Sequence, residues 1–333
     1  MSKSPRRIDV HHHYIPPAYR LLLREKGIRP GGISLPRWAA PMASTVMAAN
    51  GVETAVVSVS TPGVWFGDVA EARHWARRVN EFGAALVADN PRGFGFFATL
   101  TLPDVDGALV EAAYALDVLK ADGIVLLANN AGIYLGDPRF ARLLAFLDER
   151  GAVVLIHPGE LPGEPVERLP SFAADFLLDT TRSVLSLMST GALERYPRIR
   201  FILAHAGGFV PYIAHRLILA TLRDEPKIKV AGLLLNRKRA VAARMHVFKR
   251  FWYDTALSST PAAFPSLLAV ADPSRIVFGS DFPFAPAPAV KFMRAEYEDL
   301  SLPAELRAGI DRRNAEALFP RLATARSHGP GEG

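Results

Sequence analysis

The chain has 333 residues, is 50% hydrophobic, carries a formal net charge of +6 and contains no cysteine. That length and apolar content suit one large domain or two ordinary ones; the lack of cysteine excludes disulfides, thiolate metal sites and cysteine nucleophiles, so a bound metal must be held by nitrogen and oxygen. No uninterrupted apolar stretch reaches membrane-spanning length, and the basic start at residues 1–7 lacks the apolar run of a signal peptide, which sets the expectation of a soluble, cytoplasmic protein.

The first strand pattern, residues 8–13, reads Ile8-Asp9-Val10-His11-His12-His13. Alternate side chains of a strand share a face, so His11 and His13 point the same way and His12 points away, toward packing. Two imidazoles converging at a strand end are half of a metal site. Residues 18–41 are rich in glycine and proline and read as an insertion over the mouth of the fold. A short helix at 44–50 precedes a strand at 54–58, a long amphipathic helix at 68–89 precedes a strand at 93–98, and a helix at 105–121 precedes a strand at 123–127. Gly136-Asp137-Pro138 supplies an N-cap aspartate and a first-turn proline for a helix at 138–150. A strand at 153–157, a helix at 180–196, a strand at 201–205, helices at 210–222 and 240–248 and a strand at 252–255 follow. A helix at 262–271 closes at Asp272-Pro273, ahead of the eighth strand at 276–280. The basic cluster within 236–250 (Arg237, Lys238, Arg239, Arg244, Lys249, Arg250) is interrupted at helical spacing and reads as a solvated helix face, not a nucleic-acid surface. Residues 1–326 read as a single domain and 327–333 as a disordered tail.

Eight strands alternating with helices imply a parallel sheet, here a distorted (β/α)8 barrel. The competing fold, an open doubly wound sheet, would carry a glycine fingerprint after its first strand; neither G-x-G-x-x-G nor G-x-x-x-x-G-K-[ST] occurs. The active site of such a barrel lies at the C-terminal ends of its strands. Strand one ends in His11-His12-His13, strand five in His157, strand six in His205 and strand eight in Asp281. Any one of these alone has a bland reading as a satisfied core or loop residue. On one rim together, three histidines and an aspartate can hold one divalent ion with a position left open, and a fourth histidine beside it can act as acid or base.

These strand ends resemble those of the amidohydrolase superfamily, and specifically its decarboxylase-like branch, which includes aminocarboxymuconate-semialdehyde, γ-resorcylate and 6-methylsalicylate decarboxylases. The resemblance rests on Asp9-Val10-His11-His12-His13, His157-Pro158, His205-Ala206-Gly207-Gly208 and Gly279-Ser280-Asp281-Phe282-Pro283. It implies that His11, His13, His157 and Asp281 bind metal and that His205 is a catalytic acid or base. Superfamily members with two metals bridge them through a lysine at the fourth strand; here that strand ends Leu126-Leu127-Ala128-Asn129, which implies one metal. Zinc suits the donor set best and manganese is compatible. Relatives commonly dimerise, so a homodimer with contacts from helices of the last third is expected.

The expected activity is non-oxidative decarboxylation of an aromatic, 2-hydroxybenzoate-like or muconate-like carboxylic acid, a small-molecule substrate that needs neither nucleic acid nor membrane. Asp281 delivers the proton to carbon with His205 relaying or polarising, or water activated by His205 does so; the residues do not choose. Tyr14, Trp65, Asn129 and Phe284 are the expected substrate contacts, with Tyr134 and Phe282 as further aromatic candidates near the mouth. The alternative is a hydrolase of a lactone, amide or C–C bond using the same metal, His205 and Asp281.

Overall fold

The computed structural model describes residues 6–164, 166–222 and 244–324. Runs rich in β-branched and aromatic residues form eight strands: β1 (Arg7–His13), β2 (Val52–Ser58), β3 (Phe94–Thr99), β4 (Gly123–Leu127), β5 (Val153–His157), β6 (Arg200–Leu203), β7 (Trp252–Asp254) and β8 (Ile276–Val277). They lie side by side in chain order and each pairs in parallel with its neighbours. The chain just after β8 returns alongside β1: the Val10 amide donates to the Phe278 carbonyl at 2.9 Å and the Asp281 amide to the His11 carbonyl at 2.7 Å. The result is a nearly closed, distorted (β/α)8 barrel, as the alternation of strands and helices predicts.

Its lumen is filled by Ile8, Val10, Val56, Phe97, Val125, Leu155, Ile202 and Val277, with Leu318, Phe319 and Leu322 packed into the same cluster from the C-terminal helices. A larger core lies between the strands and the helices outside them. Strict alternation from Ile8 and Val10 would send His12 into the lumen. Instead one extra residue enters β1 between Asp9 and His12, where Asp9 pairs with Ala55 but His12 with Val57. Such a bulge re-aims the side chains beyond it, and His11 and His13 turn inward over the lumen.

The helices differ from expectation mostly at their ends. The helix expected at 105–121 is Val105–Asp117, and the one expected at 180–196 splits into Asp175–Ser189 and Ala192–Arg195 at Gly191, whose φ is +69°. The Asp137 cap forms, its side chain accepting from the Arg139 amide at 2.9 Å. Residues 18–41, read as a loop, begin inside the helix Pro17–Glu25. The sequence reading omits the helix Ala287–Asp299, because its start among Pro283, Pro286 and Pro288 looks like loop. The eighth strand is regular only over Ile276–Val277, since the chain bends at Gly279–Asp281 to reach over His11. Of the segment expected as a helix at 240–248, residues 240–243 lie outside the described residues, and the described part runs through a turn into the short 3-10 helix Phe248–Arg250; the tail at 327–333 lies wholly outside them.

Candidate metal centre and active-site cavity

The C-terminal rim gathers His11 and His13 from β1, His157 from the end of β5, His205 just after β6 and Asp281 after β8, all buried. One ligand atom each from His11, His13, His157 and Asp281 fits within a span of 4.8 Å. The two Nε2 atoms of His11 and His13 stand 3.1 Å apart, and Asp281 Oδ1 lies 3.0 Å from His13 Nε2 and 3.4 Å from His11 Nε2. The other carboxylate oxygen, Oδ2, faces His205 Nε2 at 3.7 Å.

What lies behind the rings fixes their tautomers. His157 Nδ1 lies 2.7 Å from the Pro158 carbonyl, which only accepts, so that Nδ1 carries the proton; His13 Nδ1 lies 3.0 Å from the Ser58 hydroxyl and 3.2 Å from the Ser58 carbonyl, and a proton on Nδ1 uses both oxygens as acceptors. His11 Nδ1 is 2.7 Å from Asp254 Oδ2 and donates to that carboxylate. With the three imidazoles neutral, all three Nε2 atoms therefore present lone pairs to one another and to a carboxylate oxygen. Four such atoms facing a common point call for positive charge between them, which an added proton on His11 or a divalent cation supplies, and the donor set fits the cation. His157 Nε2 is accordingly buried without a hydrogen-bond partner.

The local field favours positive charge at that point. Burial alone would lower His11, but Asp254 and Asp281 outweigh it and push its pKa up to about 10. Burial together with the neighbouring imidazoles of His13, His11 and His205 holds His157 well below the usual histidine range. Burial would raise Asp281, yet its contacts with His11, His13 and His205 hold it well below the usual carboxylate range.

The backbone around the site is shaped for close approach. A Cβ on Gly279 would lie 2.9 Å from His11 Cβ and 3.2 Å from Asp254 Cβ, so only glycine lets this loop pass beneath the two side chains. His205, Leu257 and Asp281 have φ of +54°, +52° and +62°, left-handed values that non-glycine residues adopt at a cost and that recur at functional sites.

A cavity of about 610 Å³ opens above the cluster, with His157, His205 and Asp281 in its floor. Its walls are mostly apolar, from Phe172, Phe176, Leu177, Leu257 and Phe284, and Pro30, Gly31, Ile33 and Pro36 also line it. No arginine or lysine lines it among the described residues.

Of the expected substrate contacts, only Phe284 reaches this cavity, its ring edge-on to His13 with centroids 5.4 Å apart. Tyr14 does not: it follows His13, so it points away from the lumen, and its hydroxyl donates to the Val79 carbonyl at 2.8 Å in the core. Trp65 and Asn129 border a separate pocket of about 80 Å³. Asn129 is held by a short hairpin with Tyr134 and spends its amide on the Glu160 carbonyl and Asp179, both at 2.9 Å. Phe282 packs on His12, which bonds Asp9 at 3.0 Å. The sequence reading missed Asp254. It ends β7 on the same rim as the histidines, and an aspartate closing the strand Trp252-Tyr253-Asp254 was the available signal.

Together these features define an enzyme with a buried His/Asp metal centre at the mouth of a parallel barrel. The chain belongs to the amidohydrolase family, whose model matches residues 8–321. It is 36% identical over 326 residues to the 6-methylsalicylic acid decarboxylase of Penicillium expansum, covering 95% of this chain and 97% of that one. It is 37% identical over 331 residues to the corresponding decarboxylase of Aspergillus aculeatus, covering 97% and 98%. Among solved structures, one described as amidohydrolase II superposes with a TM-score of 0.85 at 27% identity, over 94% of this chain and 99% of that one. A 5-carboxyvanillate decarboxylase from Novosphingobium aromaticivorans, complexed with manganese and 4-hydroxy-3-methoxy-5-nitrobenzoic acid, superposes with a TM-score of 0.77 at 20% identity, over 96% and 97%.

Proposed function

We propose that the chain is a metal-dependent, non-oxidative decarboxylase of a 2-hydroxybenzoate-like or muconate-like carboxylic acid. One observation carries this reading: the cavity joins apolar walls to a floor whose one cation-holding feature, among the described residues, is the His/Asp cluster. An aromatic acid entering it finds a hydrophobic slot for its ring and, among the described residues, no arginine or lysine for its carboxylate. His11, His13, His157 and Asp281 would hold one divalent ion, zinc or manganese. When bound, that ion supplies the charge that neutralises and orients the carboxylate and a neighbouring hydroxyl.

The chain's own groups do the rest. Phe172, Phe176, Leu257 and Phe284 exclude water from the ring, which favours departure of neutral carbon dioxide over retention of a charged carboxylate. As the C–C bond breaks, its electron pair stays on the ring carbon, and one proton must be delivered there. Asp281 and His205 are the groups placed for it. Asp281 turns Oδ1 to the imidazoles and Oδ2 to His205, and both residues line the cavity, so a proton carried by either group would be within reach of a bound ring.

The similarity to 6-methylsalicylic acid decarboxylases makes 6-methylsalicylate the first substrate to try. The test is carbon dioxide release from a panel of 2-hydroxybenzoates by protein loaded with zinc or manganese, with the retained metal measured by elemental analysis. Release that disappears in His205→Ala is expected. Well-metallated protein that releases none but opens lactones would overturn the reading in favour of a hydrolase. We also propose a homodimer with contacts from the last third of the chain; sedimentation as a monomer would overturn it.

A further inference from the structure

The segment that lines the cavity with Pro30, Gly31, Ile33, Ser34 and Pro36 has a second, outer face. There Arg20 and Arg24 of the helix Pro17–Glu25 join Arg29 and Arg37 around a groove of about 620 Å³. Ser34 borders both the groove and the cavity, so the two share a wall. Arg20 Nε donates to the carbonyl of Pro36, a cavity-lining residue, at 3.3 Å. Arg24, Arg29 and Arg37 are exposed, and none of the four forms an ion pair with a carboxylate among the described residues.

This arrangement has a cost. Arg20 and Arg24 are four residues apart on one helix face, where like charges destabilise the helix. Most other arginines of the barrel's outer surface do have carboxylate partners, such as Arg73 with Asp104, Arg142 with Asp106 and Arg198 with Asp148. Four uncompensated guanidinium groups beside a cavity whose lining, among the described residues, has no arginine or lysine produce a field that draws anions to this face and leaves the cavity walls apolar. Charges of one sign around a cleft raise the local concentration and association rate of an oppositely charged ligand, in a way that falls with ionic strength.

We infer that Arg20, Arg24, Arg29 and Arg37 form an electrostatic funnel that captures aromatic carboxylates and delivers them past Ser34 to the metal centre. The inference rests on the decarboxylase reading for its substrate class but not for its test. The probes are salicylate, an anion, and salicylamide, its uncharged counterpart, and association with metal-loaded protein is followed by stopped-flow fluorescence. For the intact protein the salicylate association rate should fall about tenfold between low salt and about 0.5 M sodium chloride. In the triple variant Arg24→Gln, Arg29→Gln, Arg37→Gln it should start about tenfold lower and vary little with salt, with the dissociation rate unchanged. Salicylamide should show neither effect. Because the three side chains are exposed, an unchanged thermal transition certifies the fold.

Equal salt dependence in both proteins, an equal loss for salicylamide, or no binding of salicylate to the intact protein would each overturn the funnel. Suppression by sulfate beyond that of chloride at matched ionic strength would also overturn it, and would mark a discrete anion site. Failure of the decarboxylase reading leaves a different signature: salt-dependent salicylate association without carbon dioxide release from any acid.

Discussion

Two buried charged clusters sit at opposite ends of the same barrel strands, and they are wired in opposite ways. At the N-terminal end, Arg7 of β1 is buried with a separate acceptor for each of its nitrogens: Asp311 Oδ1, the Asn50 carbonyl and Glu298 Oε1, each at 2.8 Å. Arg312 beside it pairs with Glu316 at 2.6 Å and with Glu53. At the C-terminal end, acceptors face acceptors, His157 Nε2 and His205 Nδ1 are buried without partners, and left-handed residues hold the loops. Buried polar groups are normally satisfied, so the first cluster explains itself as structure, tying strand one to the C-terminal helices, whereas the second is intelligible only with something bound. Burial and charge are common to both; the balance of donors and acceptors separates a scaffold from a site.

The contrast breaks most sharply at His205. Its ring lies in the cavity floor, outside the group of four that can share an ion. His205→Gln should therefore keep the metal and lose about 10²–10⁴-fold in turnover, the usual worth of a positioned acid or base. Elemental analysis beside the carbon dioxide assay checks this; loss of the metal along with activity would make His205 a ligand and redraw the site. The complementary change at the other end is Arg7→Met. It leaves Asp311 without its cation and Glu298 with only Arg294, and should cost about 3 kcal/mol in urea unfolding, with metal content unchanged. A variant as stable as its parent would show that the N-terminal cluster contributes nothing net.

Asp254 tests whether the tautomer argument holds. In Asp254→Asn, an amide oxygen can still accept from the His205 and Ala256 amides, as Oδ1 does now at 3.0 and 2.9 Å. The amide NH2 would then face His11 Nδ1, displace its proton and leave Nε2 carrying a hydrogen toward the cluster. Metal affinity should fall about 10–100-fold, as it does when partners behind a ligand are altered, with little change in the unfolding midpoint of the metal-free protein. A chelator competition titration measures it, and unchanged affinity would sink the assignment of lone pairs to all three Nε2 atoms.

Much of the site was legible because strand periodicity and barrel topology act together. Once eight strands are placed, the rim follows, and His11, His13, His157, His205 and Asp281 fall on it by position alone. The bulge in β1 was not legible: nothing in Ile8-Asp9-Val10-His11 announces an extra residue, and it exists because β1 must hold its pairing with β2 while turning two imidazoles inward. The substrate contacts were the weakest part. Tyr14 and Asn129 sit one and two residues beyond a strand, where a single step decides between cavity and core, and Phe284 was reachable only because it follows Asp281 closely. The cavity's other walls come from the segments around Pro30, Phe172 and Leu257, which the fold brings together from distant parts of the chain.

The smallest expected effect is on acid stability. Burial would raise the Glu298 carboxyl, but its contacts with Arg7 and Arg294 outweigh this and hold it below the ordinary value near 4.5. A carboxyl lowered in the folded state contributes stability that is fully present above its unfolded value and is lost as pH falls through its folded value. The protein should therefore lose part of its stability below about pH 4.5, and Arg7→Met should lose less of it there, because Glu298 then keeps only Arg294. Glu53, lowered in the same way by Arg6 and Arg312 against burial, is unaffected by that substitution and cancels between the two proteins, as does Asp281 at the far end. The Glu298 side chain is 35% exposed, so solvent screens the pair and the difference will be modest. Urea midpoints of both proteins between pH 3.5 and 6, in chelator so that metal release does not intervene, should converge as pH falls. Curves that stay parallel would mean that Arg7 stabilises by filling space beneath β1 and not by its charge, leaving the two ends of the barrel distinguished by shape alone.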